Sequence, residues 1–325
     1  QKNNDGAFTS EQSTDHPNGA GNSLKLAVTT ADTSVAADQY LYMSHFIEAQ
    51  NLQHLLYGTS SAKSLTLSFW VKSNKTGTYS FVIRKLDSTK YHLVHEYTID
   101  SADTWEKKII TISPTAGSTS FITASAGAIA NDNGRGLEIG FNLAWGSTYN
   151  GATNNAWSSN TNHYATSNQV NWMDSTSNNF YLTEVQLEVG ENASDFEHRS
   201  FGEELALCQR YHYRRDITIY DVAAMGHVLS TNRGAYLLHT PTAMRAKPSI
   251  SQGSNVHCWY SSGGAVASQS NLVAIYMDND TTEFNQVYIM ADANSSLASI
   301  GHPLALTSYH SSGTADSHVS LDAEL

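Results

Sequence analysis

The 325-residue sequence predicts a mostly β protein. It reads as a jelly-roll-like antiparallel β-sandwich over residues 1–195, a short linking helix over 196–215, and a second, smaller β domain over 216–325. Three observations carry this. Short stretches alternate apolar and polar residues with a period of two, the pattern of half-buried strands. Turns rich in Gly, Ser and Asn break them at regular spacing, as in antiparallel sandwiches. Helix signals gather in one segment, 200–211, and the length exceeds one average domain.

Residues 1–23 are rich in Asn, Gly, Ser and Asp and read as an irregular lead-in, after which Leu24, Leu26 and Val28 alternate with Lys25 and Ala27 in a first strand. Tyr40 to Leu56 reads as a strand through Phe46-Ile47-Glu48 followed by a short loop, with a helical turn on Ile47, Asn51 and Leu55 as the alternative. From Ser64, Leu65, Leu67, Phe69 and Val71 face one way and Thr66, Ser68 and Trp70 the other. Asn74-Lys75-Thr76-Gly77 supplies turn chemistry, and Tyr79, Phe81 and Ile83 return as the next strand. Tyr91–Ile99 and Trp105–Ile112 repeat the pattern. After a Gly/Ala/Ser/Thr-rich loop over Thr115–Asn133, Leu137, Ile139, Phe141 and Leu143 alternate again. Leu67, Phe69, Phe81, Phe141, Val185 and Leu187 are the expected contacts between the two sheets.

The stretch Phe180–Arg215, FYLTEVQLEVGENASDFEHRSFGEELALCQRYHYRR, organises the rest. Val185, Leu187 and Val189 alternate with Glu184, Gln186 and Glu188 in a strand that Gly190 ends. Ser200-Phe201-Gly202-Glu203 has the form of a capping box. Phe201, Leu205 and Cys208 then fall at i, i+4 and i+7 on one apolar stripe, so the helix reads as a packed hinge. Beyond it, Ile217-Ile219, Val228-Leu229, Ala235–His239, Ser249–Trp259, Val273–Met277, Val287–Met290 and Val319–Leu321 are the expected strands of the second domain. Pro241 and Pro248 mark Thr240–Ile250 as an edge strand or bend.

This stretch resembles a segment of tail fibre and receptor-binding proteins of tailed bacteriophages, especially those of marine bacteria: a strand ending VQLEVG, a turn, then GEELALCQRY. The runs SLTLSFWVKSNKTGTYSF (64–81), WEKKIITI (105–112), LEIGFNLAWGS (137–147), TPTAMRAKPSI (240–250) and the terminal DAEL (322–325) share in the resemblance. It implies a virion structural or host-attachment protein with a carbohydrate-binding-module-like jelly roll, threefold assembly, and no established catalytic residues.

Composition narrows the function further. A net charge of −12 argues against a nucleic-acid surface, which needs clustered Lys and Arg. No run of about 18 apolar residues is present to span a membrane. Gln1 opens into Asn3-Asn4-Asp5-Gly6 with neither a signal peptide nor an initiator Met, so the chain reads as a mature product or the later part of a longer protein. Cys208 and Cys258 show no disulfide or metal spacing and read as free thiols of a protein assembled in the host bacterial cytoplasm.

The candidate binding surface is the polar stretch 145–172, because it nonetheless carries Trp145, Tyr149, Trp157, Tyr164 and Trp172. Flat rings stack on the C–H faces of sugars while Asn and Gln amides orient them. The same rings would also pin a long loop to the sandwich or fill a subunit contact. Fourteen histidines invite a metal site, but His92 and His95 point to opposite faces of a strand and no His-x-His pair occurs. No cofactor is expected. Sandwiches of this type often hold a structural Ca²⁺, for which the sequence names no ligands. No G-x-S-x-G elbow is present, and Glu138, Glu184 and Glu188 read as solvated strand residues, so no enzymatic role is expected.

The expected function is therefore a non-enzymatic tail fibre or spike that presents a host-receptor or glycan-binding surface and is located in the virion. A capsid- or tail-bound decoration protein is the alternative, and a polysaccharide depolymerase a third class. Expected partners are further copies in a homotrimer, other tail or capsid proteins, and a host glycan or receptor. Tyr213, Ile217, Tyr220, Trp259 and Tyr276 are the expected subunit-contact residues, since a domain of about 110 residues has a limited core of its own.

Overall fold

Among the described residues, the alternation of β-favouring residues becomes twenty strands in two compact units, residues 1–197 and 198–324. The computed structural model describes residues 2–19, 21–217, 221–253, 256–261, 267–277, 286–293, 297, 300–308 and 318–324. In the first unit the strands are β1 (Lys2–Asn3), β2 (Ala7–Ser13), β3 (Ser23–Thr30), β4 (Tyr40–Glu48), β5 (Leu65–Ser73), β6 (Gly77–Lys85), β7 (Tyr91–Ile99), β8 (Glu106–Ile112), β9 (Arg135–Trp145), β10 (Ala156–Ser158) and β11 (Asn179–Val189). They form a six-stranded sheet, β1-β4-β9-β6-β7-β10, and a five-stranded sheet, β2-β3-β11-β5-β8, antiparallel throughout. This is a jelly-roll-like sandwich.

Its core forms where the inward residues of the two sheets meet. Leu67, Phe69 and Phe81 are fully buried and Phe141 nearly so. Phe69 meets Phe141 edge-on at a centroid distance of 5.0 Å, a geometry that aligns the positive ring edge with the negative face. Val185 and Leu187 pack on the same core but stay partly exposed. Their strand explains why: β11 buries Phe180 and Leu182 at even positions, then turns its odd positions inward. A register shift between Thr183 and Gln186, with Glu184 at φ 49°, inserts the extra residue that switches parity. Gly190 then ends the strand at φ 123°, a backbone state open to glycine and costly for other residues.

Two expectations for loops are corrected. The segment after β4 is a 3₁₀ turn, Ala49–Leu55, because Ala49, Leu52 and Leu55 fall on one side and enter the core. The small-residue stretch 115–133 holds two further 3₁₀ turns and sends Ile122 and Ile129 into that core. Lys85 fastens it: the buried ammonium donates to the carbonyls of Asp87, Thr89 (3.0 Å) and Ala126 (3.2 Å), which replace its lost water.

The second unit opens with α1 (Phe201–Gln209). Ser200 Oγ accepts from the Glu203 amide at 3.3 Å while Glu203 Oε2 accepts from the Ser200 amide at 3.0 Å, so both halves of the capping box form. The packed-hinge expectation fails, however: α1 buries none of its residues, and Phe201 is 82% exposed. Its cap and the electrostatics of Glu203 and Glu204 in the first turn hold it, rather than its apolar stripe.

The strands that follow are β12 (His212–Asp216), β13 (Val222–Ser230), β14 (Arg233–His239), β15 (Ser249–Gln252), β16 (Val256–Ser261), β17 (Ala267–Met277), β18 (Gln286–Ala293), β19 (Pro303–Ser308) and β20 (His318–Asp322). Six close into a barrel, β13-β14-β18-β17-β16-β19, and β12-β20-β15 form a separate sheet. Closure removes the open edges an isolated sheet would present. Val228, Ile289 and Leu306 fill the interior, and the Tyr236 hydroxyl donates to the free thiol of Cys258 at 2.6 Å. Thr240–Pro248 is a bend rather than an edge strand. Arg245 fixes it: its amide donates to Arg210 O, its Nε to Ala323 O, and the Ala323 amide to Tyr211 O, each at 2.8 Å. The segments GEELALCQRY, TPTAMRAKPSI and DAEL therefore meet in one hydrogen-bonded knot.

One expected subunit-contact residue is corrected here: Ile217, just after β12, is buried in the unit's own core with Val319 and Leu321. Tyr213 of β12, paired with Leu321 of β20, packs against that cluster and stays half-buried. Trp259 is half-buried. Tyr220 lies outside the described residues, as does the side chain of Tyr276.

Candidate functional site

The outer face of the six-stranded sheet, opposite the core, gathers an unusual set of side chains. Antiparallel register places Phe46 of β4, Glu138 of β9, Arg84 of β6 and His92 of β7 in one row. Neighbours in such a row stand close enough to bond directly. Glu138 is wholly buried, its carboxylate paired with Arg84 Nη1 and accepting the Tyr42 hydroxyl at 3.1 Å. Arg84 Nε donates to His92 Nε2 at 3.2 Å, and His92 Nδ1 donates to the His163 carbonyl at 3.2 Å. A carbonyl only accepts, so the Nδ1–H tautomer is the one that satisfies both contacts. Burial, reinforced by the adjacent Arg84 charge, pushes His92 down to about 4, keeping it neutral as an acceptor. Burial likewise raises the Tyr42 phenol, aided by Glu138.

The polar stretch after β9 lies over this face. Trp145 stacks on Tyr164 at 4.7 Å and on Tyr40 at 5.1 Å, and Tyr149 meets Trp145 and Tyr164 edge-on. Asn142 bolts the cluster down, accepting from Trp145 Nε1 at 2.8 Å and donating to Ser80 Oγ at 2.9 Å and Tyr164 O at 2.7 Å. Gly140 leaves room for it: a Cβ there would sit 2.9 Å from Val82 and 3.0 Å from the Tyr42 ring.

Of the five rings expected to contact ligand, the structure thus unites Trp145, Tyr149 and Tyr164. The other two are corrected. Trp157 is 2% exposed and donates its Nε1 to Ser113 O at 2.9 Å. Trp172 is 0% exposed and donates to Asn179 O at 3.1 Å. Both pin the loop to the sandwich core, and neither presents a face to solvent. Glu138 is corrected as well, from a solvated strand residue to the buried centre of the row.

Beside the ring cluster an open depression of about 360 Å³ remains. Tyr42, Phe46 and Tyr164 supply rings; Arg84, Lys90 and Arg135 supply cations; Leu86 completes the lining. The Arg84 guanidinium lies over Tyr164 at 4.6 Å and that of Arg135 over Phe46 at 4.3 Å, distances at which a cation is held by the ring quadrupole. Residues 42, 46, 84, 90 and 135 escaped sequence reasoning because they come from three strands and the turn between β6 and β7. A single signal was available: Arg84 and Glu138 each interrupt an apolar strand. No group of three or more His, Cys, Asp or Glu side chains able to hold a metal ion occurs among the described residues.

No family model matches the sequence, and none of the curated proteins is similar to it. Among solved structures, the chain is similar to the enzymatically active domain of tailspike protein 4 of bacteriophage CBA120, at 13% identity and a TM-score of 0.29. That match covers 58% of this chain and 18% of the tailspike chain. It is also similar to the family 11 carbohydrate-binding module of a Clostridium thermocellum cellulosomal cellulase, at 15% identity and a TM-score of 0.30, over 62% of this chain and 89% of that one. A third similarity is to the CBM22-1 xylan-binding domain of Paenibacillus barcinonensis Xyn10C, at 10% identity and a TM-score of 0.29, over 59% and 86%.

The depression is open, rigidly backed and rich in donors. Rings held by neighbouring rings and guanidinium groups held by rings lose little freedom when a ligand arrives, which is the condition for preorganised recognition.

Proposed function

We propose that the chain is a glycan-binding module of a phage virion appendage, a tail fibre or spike, and that the depression lined by Phe46, Arg84, Lys90, Arg135 and Tyr164 is its recognition surface. The convergence of rings and donors in one open depression, backed by the buried Glu138 and His92, supports this reading. Sugars are recognised by that combination of flat apolar surface and fixed hydrogen-bond donors. A binding rather than hydrolytic role accords with the carboxylate inventory. Glycosidases need two carboxylates flanking the bond, whereas no carboxylate lines this depression and Glu138 beneath it is held by Arg84 and Tyr42.

The test is binding of the purified chain to host surface polysaccharide, compared between the parent and Phe46→Ala. Phe46 is half-buried, so the variant is expected to weaken binding about tenfold while the melting temperature changes little. Unchanged binding would remove the depression from the account.

A second reading, a structural contact within the particle, is favoured by one observation. Phe201, Leu205 and Leu207 of α1 are all exposed, and an apolar helix surface of this kind suits contact with a further copy or another virion protein. Threefold assembly belongs to the proposal on the same ground, and sedimentation of the chain at micromolar concentration separates trimer from monomer.

A further inference from the structure

We infer that the saccharide taken by this depression is anionic, carrying carboxylate or sulfate groups that pair with Arg135 and Lys90. The inference rests on the glycan-binding reading above and specifies the class of ligand.

The charge balance of the depression carries it. Three cations line it, Arg84, Lys90 and Arg135, and the one carboxylate beneath, Glu138, is already paired with Arg84. Two positive charges are left over, in a protein whose net charge is −12. Arg135 and Lys90 are exposed, and neither has a carboxylate partner among the described residues. A neutral sugar would leave both cations with no anionic group beside them. An anionic substituent would gain charge-assisted hydrogen bonds from each.

Geometry adds direction. Arg135 lies over Phe46, which steadies the guanidinium and leaves its N–H groups to donate outward, the fork that matches a carboxylate or sulfate. Lys90, on the turn between β6 and β7, offers a mobile point charge at the rim. Arg84 contributes differently. It donates through Nε to His92 and through Nη1 to Glu138, so it is a fixed wall and positions Tyr164 rather than serving as a free anion ligand.

The experiment is calorimetric titration of the full chain with four probes: oligogalacturonate, its carboxyl-reduced neutral counterpart, a sulfated galactan oligosaccharide, and polyglutamate as a polyanion without sugar rings. The expected result is binding of one or both acidic saccharides, at least about tenfold tighter than the carboxyl-reduced probe and weakened by added salt. Arg135→Glu with Lys90→Glu should abolish that preference without lowering the melting temperature. Whether the uronate or the sulfate arm binds identifies the anionic group. Equal affinity for the acidic and carboxyl-reduced saccharides overturns the inference and leaves the glycan reading standing. Polyglutamate binding as tightly as the saccharides also overturns it, in favour of a general anion surface. If no saccharide binds, the glycan reading falls with it.

Discussion

Trp172→Ala is expected to destabilise the first unit by about 3–5 kcal/mol, the range for removing a large aromatic residue from a packed core. Trp172 is fully buried, meets Phe8 edge-on at 6.4 Å, and spends its one polar hydrogen on Asn179 O. Its own carbonyl accepts from Asn178 Nδ2 at 2.8 Å, which closes the loop before β11 on itself. Truncation therefore leaves a cavity and takes the indole donor from the Asn179 carbonyl, which keeps its hydrogen bond from Ser73 Oγ, so the cavity dominates the loss. Chemical unfolding followed by fluorescence and circular dichroism measures this. A loss below about 1 kcal/mol would show that the ring does not fill the core.

Arg84→Ala is expected to cost a similar 3–5 kcal/mol, by a different mechanism: it strands the Glu138 carboxylate with no cation beside it. The diagnostic is the double replacement Arg84→Met with Glu138→Leu, which removes both charges and should recover most of the loss. If the double variant is no more stable than Arg84→Ala, the row is held by packing and not by charge. Acid acts on the same row. His92 has a folded-state pKa of about 4 against 6.5 in the unfolded chain. Between those values the unfolded chain binds more protons, so stability is full above about pH 6.5 and declines as pH falls toward 4.

Much of the scaffold was legible because each strand face has a single job. Leu65, Leu67, Phe69 and Val71 announce a core face by alternation, and all four are buried. The capping box at Ser200 was readable because its partners are three residues apart. What alternation does not encode is which strand lies beside which. The row Phe46–Glu138–Arg84–His92 depends on β4, β9, β6 and β7 being neighbours in register, and those strands are dispersed over a hundred residues. The same blindness hid the barrel closure of the second unit.

The aromatic stretch shows a subtler limit. Five rings in a polar segment signalled that the segment is fixed to something, without saying to what. Trp157 and Trp172 are anchors, whereas Trp145, Tyr149 and Tyr164 build a wall over the sheet. The difference lies in each ring's surroundings: a Trp whose N–H finds a backbone carbonyl can sink completely, while the phenols keep their polar ends near water. For α1, the i, i+4, i+7 stripe promised burial, yet a nine-residue helix held by its cap can leave that stripe exposed.

The central claim is that the depression on the outer face of the six-stranded sheet is the recognition surface. Hydrogen exchange of the backbone amides, with and without saturating host polysaccharide, tests it most directly. The account predicts ligand-dependent protection concentrated in residues 42–48, 84–91 and 135–138, with the segment around Tyr164 joining them. Protection confined to α1 or the barrel, with those segments unchanged, would contradict it.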